Sequence, residues 1–268
     1  MKEDRLNKLV KNQIDDAEEA AKKIGPDFEK EDIHEFRVAV KSLRSLIRLL
    51  DSSTGNDTFI LPSDLIDIYH TSGIIRDAQL EHVKISHMDL DLPGYCNHLE
   101  KIISKHKKSW EKCYSKKIFS HLESYWSEAK PIVLTEAVVE QFIAGKLASI
   151  TRISKSVSPS DEELHGIRKQ LKDIFYVLKI VPGNLISAFN TAKQVEISEL
   201  KWITDLIGAY NDDRIFMEHI KSYSQELLKP ADSMTIDNIT TEMARQLTKR
   251  KKEICDQVNK YISSQDWG

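Results

Sequence analysis

Two stretches of this sequence, 131 residues apart, carry the same double helical pattern, and that repeat limits the fold more than any other feature. In the first, His34, Arg37, Lys41, Arg44 and Arg48 follow spacings of 3, 4, 3 and 4. In the second, His165, Arg168, Lys172 and Lys179 fall at matching offsets. At about 3.6 residues per turn each set lies on one narrow helical face. The apolar residues keep a register of their own. Phe36, Val40, Leu43, Ile47 and Leu50 correspond to Ile167, Leu171, Ile174, Leu178 and Val181. In projection this apolar row sits roughly 120° or more from the basic one. Each stretch is therefore a helix with a core face and a separate, one-signed cationic face. Repeated, that arrangement reads as a device for holding a polyanion.

Helical periodicity continues through the chain, broken where Pro, Gly, Ser and Asn cluster. A first amphipathic helix over 2–24 ends at Gly25-Pro26. Asp32 with Glu35 has the form of a capping box for a striped helix over 32–50. Ser52 to Asn56 is a turn. Pro62 and Ser63 open a third helix to about 87, and Pro93-Gly94 separates it from a fourth over 95–128. After Pro131 the order resumes with a helix over 133–156. Ser160 and Glu163 then cap the second striped helix, which Pro182-Gly183 stops. Helices over 191–227 and 236–263 follow, with Pro230 between them. The expected fold is all-α: two four-helix bundles, residues 1–130 and 131–268, related by an approximate twofold. Only the second and third helices of each half are recognisably alike in sequence.

The bulk numbers fit a helical protein with concentrated positive charge. Aromatic residues make up 7% of the 268 and there are nine glycines, which disfavours a sheet-rich fold with many tight turns. The formal net charge is −3, so the whole chain is no basic nucleic-acid binder by composition. Residues 101–117 nevertheless hold seven lysines against one Glu, and residues 245–252 hold five Lys or Arg and no acid. Cys96, Cys113 and Cys255 are far apart and form no CxxC, which reads as free thiols in a reducing compartment. No signal-peptide pattern or membrane-length apolar run is present, and a cytoplasmic protein without membrane attachment is expected.

An ordinary solvated face is the alternative explanation of either stripe. Two features argue against it. The first stripe has no interleaved acid at i+3 or i+4, where solvated helices mix signs. The second helix repeats the arrangement in the same register to its core face. Like charges on one face repel, so a bound counter-charge is implied.

Another repeated element follows each stripe. Gly73-x-x-Arg76-Asp77 matches Gly208-x-x-Asn211-Asp212. A helical glycine costs about 1 kcal/mol against alanine, so a glycine at the same place twice suggests close approach of two helices. Asp77 and Asp212 are either acceptors that hold a stripe His or Arg, or plain surface carboxylates. A third group is lysine-rich. Lys101, Lys105, Lys108, Lys112 and Lys116 form one row, and Arg245, Lys249 and Lys252 another, with Arg250 alongside. These rows either face solvent or wall a cavity opposite the stripes.

The stripe and the Gly-x-x-Arg-Asp element, each present twice in a helical chain, resemble the CHAD family (conserved histidine α-helical domain). The resemblance covers nearly the whole chain. It implies two four-helix bundles around a basic cavity and binding of inorganic polyphosphate. Phe175 stands where Arg44 predicts a base, and Asn211 where Arg76 predicts another, so the second half-site is thinner; Lys169 compensates in part.

On this reading Arg37, Arg44, Arg48 and Arg168 give phosphoryl oxygens charge-assisted hydrogen bonds, while Lys41, Lys172 and Lys179 add mobile charge. His34 and His165 donate and become cationic as a polyanion raises their proton affinity. Lys105, Lys108, Lys112, Lys169, Arg245, Lys249 and Arg250 complete the expected binding set, with Arg76, Asp77 and Asp212 in support. Sulfate or phosphate would be a small stand-in for the ligand.

Enzymatic signals are thin: no HExxH, Gly-rich phosphate loop, GxSxG elbow or cysteine cluster, and hence no expected metal or cofactor. The glutamates and lysine of the triphosphatase tunnel that often accompanies the family are also missing. Three rival functions stay open at this point. One is a single-stranded RNA- or other nucleic-acid-binding module. Another is an enzyme, or its accessory subunit, acting on polyphosphate or nucleotides. The third is a scaffold for an acidic partner.

Overall fold

The computed structural model describes residues 1, 3–54, 60–88, 90, 92–115, 117–127, 133–155, 159–186, 197–227 and 230–264, with side chains of 224–235 and 264 left aside. All regular structure among them is helical. In order the helices are α1 (Glu3–Lys23), α2 (Lys30–Thr54), α3 (Ser63–His87), α4 (Pro93–Cys113), α5 (Lys117–Ser127), α6 (Glu136–Ser154), α7 (Asp161–Ile180), α8 (Ile197–Leu227) and α9 (Pro230–Ser264). A single 3₁₀ turn, Gly183–Leu185, follows α7. The chain divides into two compact units, Met1–Val138 and Val139–Gly268.

In the first unit α1 packs on α2, α2 on α3 and α3 on α4, while α5 covers α1 and part of α3. The i, i+4 series Leu6, Val10 and Ile14 continues through Ala17 and buries one face of α1. On α2 the predicted core row is buried at Phe36, Val40, Leu43 and Leu50, with Ile47 half-buried. Helix α3 is enclosed by neighbours on two sides. Even its Glu81 is buried, accepting a 2.5 Å hydrogen bond from the Tyr95 hydroxyl of α4.

The turn into α2 depends on two left-handed residues, Gly25 (φ 45°) and Phe28 (φ 55°). Glycine takes that conformation freely, whereas phenylalanine adopts it only when its surroundings hold it. Here the Phe28 ring is buried edge-on against Trp110 (centroids 6.3 Å apart), and its carbonyl accepts from Gln79 Nε2 at 2.9 Å.

Several boundaries differ from the sequence expectation, each for a local reason. Helix α2 starts at Lys30, so Asp32 and Glu35 lie inside it and form no capping box. Asp32 instead sits in the positive first turn, and Glu35 pairs with Lys23 at 2.9 Å. Where a turn was predicted from Ser52, the helix continues to Thr54, and Gly55 and Asn56 lie outside the described residues. The hydroxyls of Ser52, Ser53 and Thr54 donate to the carbonyls of Leu49, Leu50 and Asp51, which satisfies the last helical turn.

Pro93 opens α4 rather than preceding it, its missing N–H being one that a first turn leaves unpaired anyway. The single helix expected over 95–128 is two. Tyr114 turns extended (φ −67°, ψ 121°) and Ser115 Oγ accepts from Lys117 N, which starts α5. That bend lets α5 bury Ile118, Phe119 and Leu122, with Lys11 paired to Glu123 at 3.0 Å. Pro131, Lys116 and residues 187–196, where a helix start was expected at 191, lie outside the described residues.

In the second unit α7 packs on α8 and α8 on α9. The predicted row Ile167, Leu171, Ile174, Leu178 and Val181 is buried throughout. The Ser160–Glu163 capping box forms as expected, with both reciprocal hydrogen bonds present (2.6 and 3.1 Å). Lys146 of α6 reaches Asp173 of α7 at 2.9 Å, with the Asp173 side chain only 6% exposed.

Asp161, the first residue of α7, ties three elements together. It accepts from Tyr210 Oη and from Lys251 Nζ, each at 2.8 Å, and lies near Arg214. Partial burial pushes this carboxyl up, but the hydrogen bonds from Lys251 and Tyr210 outweigh that and hold it below the usual carboxylate range. A depressed pKa stabilises the fold at pH values above the unfolded pKa, and the gain fades as pH falls through the folded one. Asp161→Asn should therefore lower stability by about 1–2 kcal/mol at pH 7 after allowance for partial exposure. The deficit should shrink below about pH 4. Urea unfolding of both proteins at pH 7 and pH 3 checks this; an equal deficit at both would remove the carboxylate's charge from the explanation.

Candidate functional site

The first stripe lies along α2 with Arg37, Lys41, Arg44 and Arg48 half-buried and His34 exposed. Arg37 is seated against α3. Its Nη1 donates to the Tyr69 carbonyl at 2.6 Å and lies 3.5 Å from Ser72 Oγ. Its guanidinium also lies over the Tyr69 ring, 4.5 Å from the centroid, and that of Arg44 is over the same ring at 5.6 Å. Cation–π contact of this kind stabilises each cation by about 0.5–1 kcal/mol or more. A Cβ on Gly73 would fall 2.5 Å from Arg37 Nη1, which real Cβ contacts essentially never allow.

The second unit repeats this seat with different neighbours. Arg168 of α7 donates from Nε to the Thr204 carbonyl of α8 at 3.3 Å. A Cβ on Gly208 would lie 3.1 Å from its Nη2 and 3.2 Å from its Nε. In each case the accepting carbonyl is four residues before the glycine, so one turn of helix supplies both acceptor and space. The glycines were expected to admit a neighbouring helix. What they admit is an arginine side chain.

That shared seat lies at the two places where the sequence repeats. The family model for the CHAD domain matches residues 8–220. The chain belongs to the CHAD family. Neither a curated protein nor a solved structure matches it at a significant level.

The two stripes of this CHAD domain are unequal in electrostatics. On α7, Phe175 is buried beneath two ammoniums, Lys172 Nζ at 5.1 Å and Lys179 Nζ at 5.2 Å from its centroid. An acid missing from the stripe itself is supplied by α8. Asp205 Oδ1 lies 3.2 Å from Lys172 Nζ, and Oδ2 lies 2.6 Å from Lys201 Nζ. Burial pushes the Lys172 ammonium below the usual lysine range; Asp205 pulls the other way, while Arg168 and Lys201 add to the lowering. The position matching Asp205, three residues before the first-half glycine, is His70.

A polyanion arriving at Lys172 would have to compete with Asp205. Asp205→Asn should raise affinity for a polyanion about two- to fivefold, the range set by one partly exposed ion pair. Titration calorimetry measures it. Weaker binding by the variant would show that Asp205 orients Lys172 rather than competing for it.

The remaining expected residues are dispersed. His165 is half-buried, and Lys169 and Lys179 are exposed. Arg76 is a fastener, donating from Nη1 to the Lys30 carbonyl at 2.6 Å, where α2 begins. Asp77 and Asp212 are both exposed, and Asn211 accepts from Arg214 at 3.3 Å. Lys101, Lys105, Lys108 and Lys112 are exposed on the side of α4 opposite its buried Tyr95, Leu99 and Trp110.

On α9, acids already engage much of the charge. Arg245 makes a two-pronged contact with Glu242 (2.9 and 2.7 Å), Arg250 pairs with Asp213, and Lys251 with Asp161. Lys249 and Lys252 are exposed. The three cysteines are free thiols, no described helix is long and apolar enough to cross a membrane, and no metal-holding group of acids, histidines and cysteines occurs among the described residues.

Sequence reasoning missed Tyr69, Asp205 and Lys201. The signal for Tyr69 was available in the helical register: a residue one turn before a repeated helical glycine faces the same neighbour.

Proposed function

We propose that this chain is a non-catalytic, cytoplasmic binder of inorganic polyphosphate, and that one polyphosphate chain engages both stripes. The finer architecture that belongs to this reading is two four-helix bundles related by an approximate twofold around a basic central cavity. The observation that carries it is the repeated arginine seat. Arg37 is held through Nη1, leaving the Nε and Nη2 edge for a ligand. Arg168 is held through Nε, leaving its two Nη groups. Each remaining edge matches two oxygens of a phosphoryl group. Half-buried lysines beside them add charge without demanding one geometry, which suits a regular chain of phosphates. CHAD domains are known for polyphosphate binding, which supports the same ligand.

A single-stranded nucleic acid is the second reading. Binders of that class stack bases on exposed aromatic rings among the basic groups. Trp110, inside the lysine-rich α4, is instead buried against Phe28, Phe36 and Tyr114. Tyr69 is already covered by two guanidiniums. Competition between long-chain polyphosphate and single-stranded RNA of equal charge separates the two ligands, and polyphosphate is expected to displace the RNA. Phosphate release with Mg²⁺ or Mn²⁺ is expected to stay at background, and release above it would make the chain an enzyme.

A further inference from the structure

We infer that Gly73 and Gly208 are positioning residues for anion binding, each fixing an arginine fork by leaving out a side chain. This rests on the function proposed above and deepens it. Two ordinary roles for a helical glycine do not fit these positions. Neither has the positive φ that demands glycine, which among the described residues Gly25 does. At neither is another helix's backbone the nearest neighbour: the three atoms nearest to an added Cβ all belong to the guanidinium of Arg37 at Gly73 and of Arg168 at Gly208.

The atoms in conflict are the flexible end of a long side chain. A methyl group at Gly73 therefore leaves the helices in place and expels the guanidinium from its seat on the Tyr69 carbonyl. Helical alanine is also intrinsically better than helical glycine. The helical gain offsets contacts that the displaced arginine gives up, so the two substitutions should leave stability close to that of the unsubstituted chain while weakening the site. The clearance is tighter at Gly73 (2.5 Å) than at Gly208 (3.1 Å), so the first should have the larger effect. Gly145, on α6, has open space where a Cβ would go and supplies a control with the same helical gain.

The test is a titration of long-chain polyphosphate into the full chain, its variants and their thermal melts. Gly73→Ala is expected to lower affinity about three- to tenfold, Gly208→Ala about two- to threefold, and Gly145→Ala not at all, with the melting midpoints of the first two close to that of the unsubstituted chain and that of Gly145→Ala no lower. In an Arg37→Ala background, Gly73→Ala is expected to change affinity no further, because the side chain it displaces is gone. Undiminished binding by Gly73→Ala, or a loss that persists without Arg37, overturns the inference while polyphosphate binding stands. A wild-type chain that binds no polyphosphate overturns the proposed function, and this inference with it.

Discussion

Arg37→Ala combined with Arg168→Ala should weaken polyphosphate binding by about a hundredfold or more while leaving the helical circular dichroism unchanged. Hydrogen bonds to charged groups contribute about 1.5–3 kcal/mol each, and about 1.4 kcal/mol is one factor of ten. The fold tolerates the change because each arginine is half-buried and its main hydrogen bond goes to a helix carbonyl, that of Tyr69 or Thr204. Those carbonyls belong to helix interiors and already serve the α3 and α8 ladders, so losing the arginine orphans no buried acceptor. Equilibrium titration of the folded double variant measures the effect. Affinity within threefold of the unsubstituted chain would remove these arginines from the ligand set.

Salt should have a comparably large effect. Polyphosphate is a dense linear anion, and each phosphate neutralised by the protein releases condensed counterion. With about five phosphates engaged and a single-strand-like slope of about −0.7 per contact, affinity should fall roughly a hundredfold between about 50 and 200 mM monovalent salt. Removing one stripe lysine, Lys41→Ala for instance, should make the slope shallower by somewhat less than one. A flat salt dependence would mean that shape or apolar contact drives binding, and the stripes would lose their role.

The parts of the fold written in periodicity were legible in the sequence. Phe36 to Leu50 and Ile167 to Val181 are core rows because a 3.6-residue repeat leaves them no other face, and the Ser160–Glu163 cap formed because serine opens the helix there. Asp32–Glu35 has the same spacing and forms no cap. Ile33 N already reaches the Glu29 carbonyl at 3.1 Å, so the helix had started upstream. The break at Tyr114–Ser115 carries no proline or glycine. It follows from the apolar contacts α5 makes with α1, which are tertiary and invisible to local pattern.

The candidate site divides along the same line. His34 to Arg48 could be read as one face from spacing alone. The lysines and arginines of α9 looked equivalent to them, because sequence does not show that Glu242, Asp213 and Asp161 come within ion-pair distance. Asp205 was hidden for the same reason: it lies 33 residues from Lys172 and one helix away. A repeated helical glycine implies close packing, but that the packed group is an arginine depends on how the helices meet.

The most direct measurement is a crystal structure of the full chain with medium-chain polyphosphate, with the phosphorus positions fixed by anomalous scattering. Phosphates are expected within hydrogen-bond distance of the Nε–Nη2 edge of Arg37 and of the Nη groups of Arg168. Polyphosphate lying instead along the α4 lysines or α9, with both arginine seats unoccupied, would contradict that expectation.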